Sequence, residues 1–155
     1  MLLLKVKALS QGHSGVAVST VQRLLDHWNE GVLPVVPSQG SLGASGDLAP
    51  LAHLALPLIG EGEVVMPDGR TLASQDALDE LGWPVLELGP KEGLALINGT
   101  QMMLGMGMVA LERIVCFADW ADAIGSWSLE AWNGLLDAMH PSIHRVRNQA
   151  GAKLV

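Results

Sequence analysis

Ala44-Ser45-Gly46 is a tripeptide whose backbone can turn into a reactive group. If the Gly46 nitrogen attacks the Ala44 carbonyl and two waters leave, one of them from the Ser45 side chain, the main chain closes into a five-membered ring bearing an electrophilic methylene. Such closure needs unusual dihedrals and close approach of main-chain atoms, which Gly46 permits and a residue with a Cβ resists. The same residues also read as an ordinary loop, because they lie in a Gly/Ser-rich stretch between Pro37 and Pro50. Asp47 is placed to cap a helix running through Leu48, Leu51, Ala52, Ala55 and Leu58, with Pro50 tolerated in its first turn. The free amides and positive end of that helix would then follow the reactive carbonyl directly and stabilise negative charge developing on it.

The longer string Gly40-Ser-Leu-Gly-Ala-Ser-Gly-Asp-Leu-Ala-Pro-Leu-Ala-His53 resembles the active-site signature of the aromatic amino acid ammonia-lyases, and its Ser-Leu-Gly and Leu-Ala-His details resemble the histidine ammonia-lyase branch. Leu9-Ser-Gln-Gly-His-Ser-Gly-Val16, Gly60-Glu-Gly-Glu-Val64 and Lys91-Glu-Gly-Leu-Ala-Leu-Ile-Asn-Gly-Thr100 resemble further blocks of the family. Leu129 to Gly134 and Ile143-His-Arg-Val-Arg147 do so near the end, whereas Asn148 to Ala152 matches the family's His- and Gln-bearing tail only loosely. The family chain is much longer, so residues 1–155 correspond to an interior portion that contains the signature segment 40–53.

The resemblance implies a mainly α fold, a fragment of a helical bundle, and a cofactor, 4-methylideneimidazole-5-one (MIO), formed autocatalytically from Ala44, Ser45 and Gly46. It implies that Gly43, Asp47 and Leu48 hold the ring and that Asn98 contacts the ring or the substrate. The implied reaction is loss of ammonia from L-histidine to give trans-urocanate. An aminomutase using the same electrophile and a non-catalytic helical association fragment are the alternatives. The implied assembly is a homotetramer, or complementary segments of one enzyme, with active sites built from several subunits. Tyrosines supply the β-proton base in such enzymes, and this chain has no tyrosine. On its own it is expected to be catalytically incomplete.

Other chemistry fits less well. Gly-Ala-Ser-Gly lacks the Gly-x-Ser-x-Gly spacing of a serine hydrolase elbow, and Gly46-Asp47 stands where a phosphate loop needs Lys-Ser/Thr. His140 and His144 are four apart, but Pro141 interrupts them and neither a His-Glu-x-x-His helix nor a third ligand is present, so no metal site is expected. From the residues alone Asn98 reads as a cap or turn, His53 as a locally satisfied polar residue on its helix, and Arg147 equally as a carboxylate ligand, a solvated charge or an oligomer contact.

With 49% hydrophobic residues and a net charge of -7, the chain is too apolar for a disordered segment and too acidic for a general nucleic-acid binder. Its single cysteine, Cys116, reads as a buried thiol and fits a cytoplasmic setting. Met102 to Val115 approaches the length of a membrane span, but Glu112 and Arg113 interrupt it, so a soluble helix continuing to Asp119 and no membrane partner are expected. Periodicity predicts helices from near Val21 to Gly31, with Ser19 or Thr20 as cap, from Ala73 to Leu81, and from Ser126 through Leu136. Val64-Val65-Met66 and Asp68-Gly69 predict a short β-hairpin near 61–70.

Overall fold

A computed structural model describes residues 1–147, 149 and 151, in two compact units, Met1–Gly107 and the segment from Met108 onward. Helices dominate: α1 (Leu2–Leu9), α2 (Val18–Asn29), α3 (Leu48–Ala55), α4 (Ser74–Leu81), α5 (Glu92–Ile97), α6 (Gln101–Ala131) and α7 (Pro141–Arg147). A small antiparallel sheet in the order β1-β2-β3 joins Leu33–Pro34, Glu63–Val65 and Thr71–Ala73. The fold is therefore mainly α, as expected, with a minor sheet.

In the first unit the helical stripes converge. Leu2 and Leu9 of α1, Leu24 of α2, Leu51 and Leu54 of α3, Leu96 of α5 and, outside these helices, Leu58 form one buried cluster. Each such leucine stabilises the fold by about 1.5–3 kcal/mol through lost apolar surface. Leu58 belongs to a 3-10 turn, Leu56–Ile59, into which α3 tightens before Gly60 ends it with φ +79°. A second cluster of Val32, Val64, Met66 and Ala77 lies where the sheet packs on α4.

The hairpin spans β2 and β3, with Val65 opposite Thr71 and Gly69 at φ +88° in the reversal. Its second strand starts just beyond the expected limit of 70. The third strand, β1, carried no sequence signal, since it is two residues long and contains Pro34. Proline is tolerated there because β1 is an edge strand.

Three sequence expectations are corrected. α2 begins at Val18, earlier than predicted, and neither Ser19 nor Thr20 caps it by its side chain. The helices predicted to end at Asp119 and to restart at Ser126 are one continuous helix, α6, because Ala121 to Gly125 contains no proline and its single glycine is tolerated inside a helix. Cys116 is exposed, not buried, because no residue of α6 is buried among the described residues. The helical stretch Glu92–Ala131, of which α6 is the larger part, is long and apolar enough to cross a membrane by length and composition alone. The tail residues Asn148, Ala150 and Ala152, compared above with the family, lie outside the described residues.

Candidate active site

The signature segment leaves regular structure after β1 and bends through Gly43 to Gly46 before α3 starts at Leu48. Gly46 has φ +72°, a left-handed conformation costing an L-residue about 1–2 kcal/mol. The Asp47 N–H donates to Ser45 Oγ at 3.2 Å, which folds the hydroxyl back along the chain. A small, left-handed glycine beside a hydroxyl held against the following amide fits the precursor of the cyclised ring, and these three residues would hold it as part of the main chain itself.

Asp47 does something other than cap its own helix. It occupies the N-cap position of α3, and its carbonyl accepts from Leu51 N–H at 2.9 Å, but its carboxylate makes no cap bond there. The carboxylate, 2% exposed, instead accepts from Met102 N–H at 2.9 Å and from Met103 N–H at 3.1 Å, the first free amides of α6. A buried anion at the positive end of a helix is stabilised both by hydrogen bonds and by the dipole. The start of α6 is thereby fixed beside the tripeptide.

These residues border a cavity of about 380 Å³, with Ser45, Gly46 and Asp47 on one side and Met102, Met103 and Met106 on the other. Gly43, Ala44 and Leu48 are exposed next to it. Asn98, the C-cap of α5, is exposed and borders a second cavity with His13, Ser14 and Lys91. Thus Ser45, Gly46 and Asp47 are brought together, while Asn98 faces a different opening. His53 is exposed on α3 and Arg147 is exposed at the end of α7.

Two buried ionic groups supporting this region escaped the sequence reading. Glu92 of α5 accepts from Ala17 N–H at 2.7 Å, Thr20 Oγ1–H at 2.8 Å and Gly89 N–H at 2.6 Å, so it closes the start of α2 from a distance. The amides of Ala17 and Gly89, with the Thr20 hydroxyl, hold its carboxyl below the usual range. Lys5 of α1 donates from Nζ to the Asn98 carbonyl at 2.9 Å, and burial lowers its ammonium below the usual lysine value. Lys5 was detectable in principle: three residues after Leu2 and four before Leu9, it sits on the buried face of α1. Glu92 has one local partner, Gly89, but the two that tie it to α2, Ala17 and Thr20, are more than seventy residues away and left no local signal.

Comparison with known proteins gives concordant results. A family described as aromatic amino acid lyase matches residues 1–155. A histidine ammonia-lyase of Chloroflexus aurantiacus is 49% identical over 147 residues, covering 95% of this chain and 28% of that protein. The crystal structure of histidine ammonia-lyase from Trypanosoma cruzi is similar with a TM-score of 0.85 and 42% identity, covering 97% of this chain and 29% of that one. Phenylalanine aminomutase from Pantoea agglomerans gives a TM-score of 0.87 at 33% identity, over 98% of this chain and 29% of that one. The chain spans less than a third of the length of each of these relatives.

Proposed function

Because the chain belongs to the aromatic amino acid lyase family, we propose that it carries the electrophile-forming segment of an enzyme that eliminates ammonia from L-histidine to give trans-urocanate. The observation that carries this reading is the Ala44-Ser45-Gly46 turn, which opens onto a cavity and is followed at once by the buried Asp47. The curated histidine ammonia-lyases at 42–50% identity support histidine over other aromatic amino acids. When formed, MIO supplies an electrophilic methylene that draws electrons from the amine or aromatic ring of the substrate. The chain's own part is positional. Asp47 ties the tripeptide to α6, Gly43 and Leu48 flank it, and Asn98 contributes an amide able both to donate and to accept.

Residues 1–155 include no tyrosine to serve as the β-proton base. The exposed apolar residues of α6 support association with further copies or complementary segments of the same enzyme. Glu112, Arg113, Asp119, Asp122 and Glu130 are distributed along α6 and support protein partners over lipid. The free, exposed thiol of Cys116 supports a reducing, cytoplasmic setting.

The test is turnover of L-histidine, L-phenylalanine and L-tyrosine by the assembled enzyme. Histidine is expected to have the highest kcat/KM, and histidine as the poorest of the three would overturn the substrate assignment. The likeness to an aminomutase makes product analysis part of the same experiment. Free ammonia and an unsaturated acid are expected, whereas a β-amino acid as main product would replace the lyase reading.

A further inference from the structure

Asn98, Gly99 and Thr100 form a three-residue joint between the C-terminal end of α5 and the N-terminal end of α6. A buried charge stands at each end of the joint. Lys5, 1% exposed, donates to the Asn98 carbonyl at 2.9 Å, while the Asp47 carboxylate holds the Met102 and Met103 amides. A cation on the closing carbonyl of one helix and an anion on the opening amides of the next both match the helix dipoles. Each interaction is favourable only while the joint keeps its place. The Gln101 side chain folds back over Gly99.

Lysine is an expensive choice at this position. Its neighbours on the buried face of α1, Leu2 and Leu9, fill the core with apolar atoms. A buried ammonium loses several kcal/mol of hydration, and among the described residues no carboxylate forms an ion pair with Lys5. Its hydrogen bond goes to the main chain of Asn98, the residue of the joint read above as a site residue. Packing alone would favour leucine there. Holding a main-chain carbonyl at a defined point requires a donor with lysine's reach.

We propose that Lys5 is a positioning residue for Asn98: its bond to the Asn98 carbonyl, opposed by the Asp47 cap on α6, fixes the backbone that carries the Asn98 amide. The proposal rests on the reading of Asn98 as a site residue. Lys5 itself touches no reacting atom, and its effect passes wholly through Asn98.

A double-mutant cycle in the assembled enzyme tests this, with kcat and KM for L-histidine measured for Lys5→Met, Asn98→Ala and the pair, and with amide hydrogen exchange followed over residues 98–100. Displacing a site group by about an ångström costs up to roughly a hundredfold, so Lys5→Met is expected to lower kcat about ten- to a hundredfold with KM within about twofold. In the Asn98→Ala background it should cost less than about twofold, because coupled residues are not additive. Exchange at Gly99 and Thr100 should accelerate in Lys5→Met while exchange in α2 stays unchanged, and Lys5→Arg should restore most of kcat. Equal losses in both backgrounds, or unchanged exchange at the joint, would overturn the proposal. Full activity of Asn98→Ala would remove the reading on which it rests, and is recognisable because the exchange result does not depend on it. If Lys5→Met does not fold, Lys5→Gln carries the same cycle.

Discussion

The two units of this chain have similar kinds of residue, but among the described residues only the first has a buried apolar core. Between Met1 and Gly107, leucines from four helices and a 3-10 turn are hidden in a common core, with Leu24, Leu51 and Leu58 wholly inaccessible. Beyond Met108, Phe117, Trp127, Trp132, Leu135 and Val146 are between 61% and 87% exposed. The first unit buries a leucine core, while Val18 and Leu42 stay 85% and 99% exposed. The second displays its hydrophobic pattern. The electrophile-forming segment lies wholly in the first unit, where the buried Asp47 carboxylate holds the Met102 and Met103 amides.

Substitutions at the two kinds of position should differ most. Leu51→Ala is expected to destabilise the first unit by about 2–5 kcal/mol in urea unfolding, the range for emptying a packed core site. Leu111→Ala, at a position 61% exposed, should stay within about 0.5 kcal/mol in the isolated chain. Comparable losses at both would dissolve the contrast. Asp47→Ala should come next, at about 2 kcal/mol, because it leaves buried amides without their charged acceptor. Hydrogen exchange at Met102 and Met103 would accelerate if the cap is as described, and would be unchanged if α6 starts independently of it.

Acid should weaken the first unit in two steps. His27 is 1% exposed, its Nδ1 stands 3.1 Å from the Val32 carbonyl oxygen, and desolvation lowers its folded pKa. The unfolded chain therefore binds a proton more readily below about pH 6.5, and stability falls as pH drops from there through the lower folded value. Glu92, with its folded pKa also lowered, contributes stability that is complete above about pH 4.3 and lost as pH falls through its folded value. His27→Phe should flatten the upper limb and Glu92→Gln the lower one in pH-dependent urea titrations. The smallest effect is expected at Arg70, whose pairs with Asp68 and Glu80 are about half exposed. Arg70→Ala should leave the urea midpoint unchanged, since solvent and salt screen such pairs.

The sequence made the local features legible and left the distant ones hidden. The signature segment, the α3 stripe, the hairpin and the positive-φ stop at Gly31 follow from short-range rules. Asp47 was recognisable as important from its place after the tripeptide, yet its partners, more than fifty residues ahead, could not be named from local spacing. Glu92 and Lys5 act across similar gaps. The division of α6 into two expected helices had a different cause: Gly125 and Ser126 read as a boundary, but neither breaks a helix when nothing else in the segment favours a turn. Burial of Cys116 was inferred from apolar neighbours, and apolar neighbours report periodicity without revealing what covers them.

The central claim is that Ala44, Ser45 and Gly46 become the electrophile, and peptide mass mapping across residues 40–53 of the assembled, histidine-active enzyme tests it most directly. The expected result is a loss of two waters confined to these three residues, absent in Ser45→Ala together with turnover. An enzyme fully active on histidine whose segment 40–53 retains its unmodified linear mass would contradict the account.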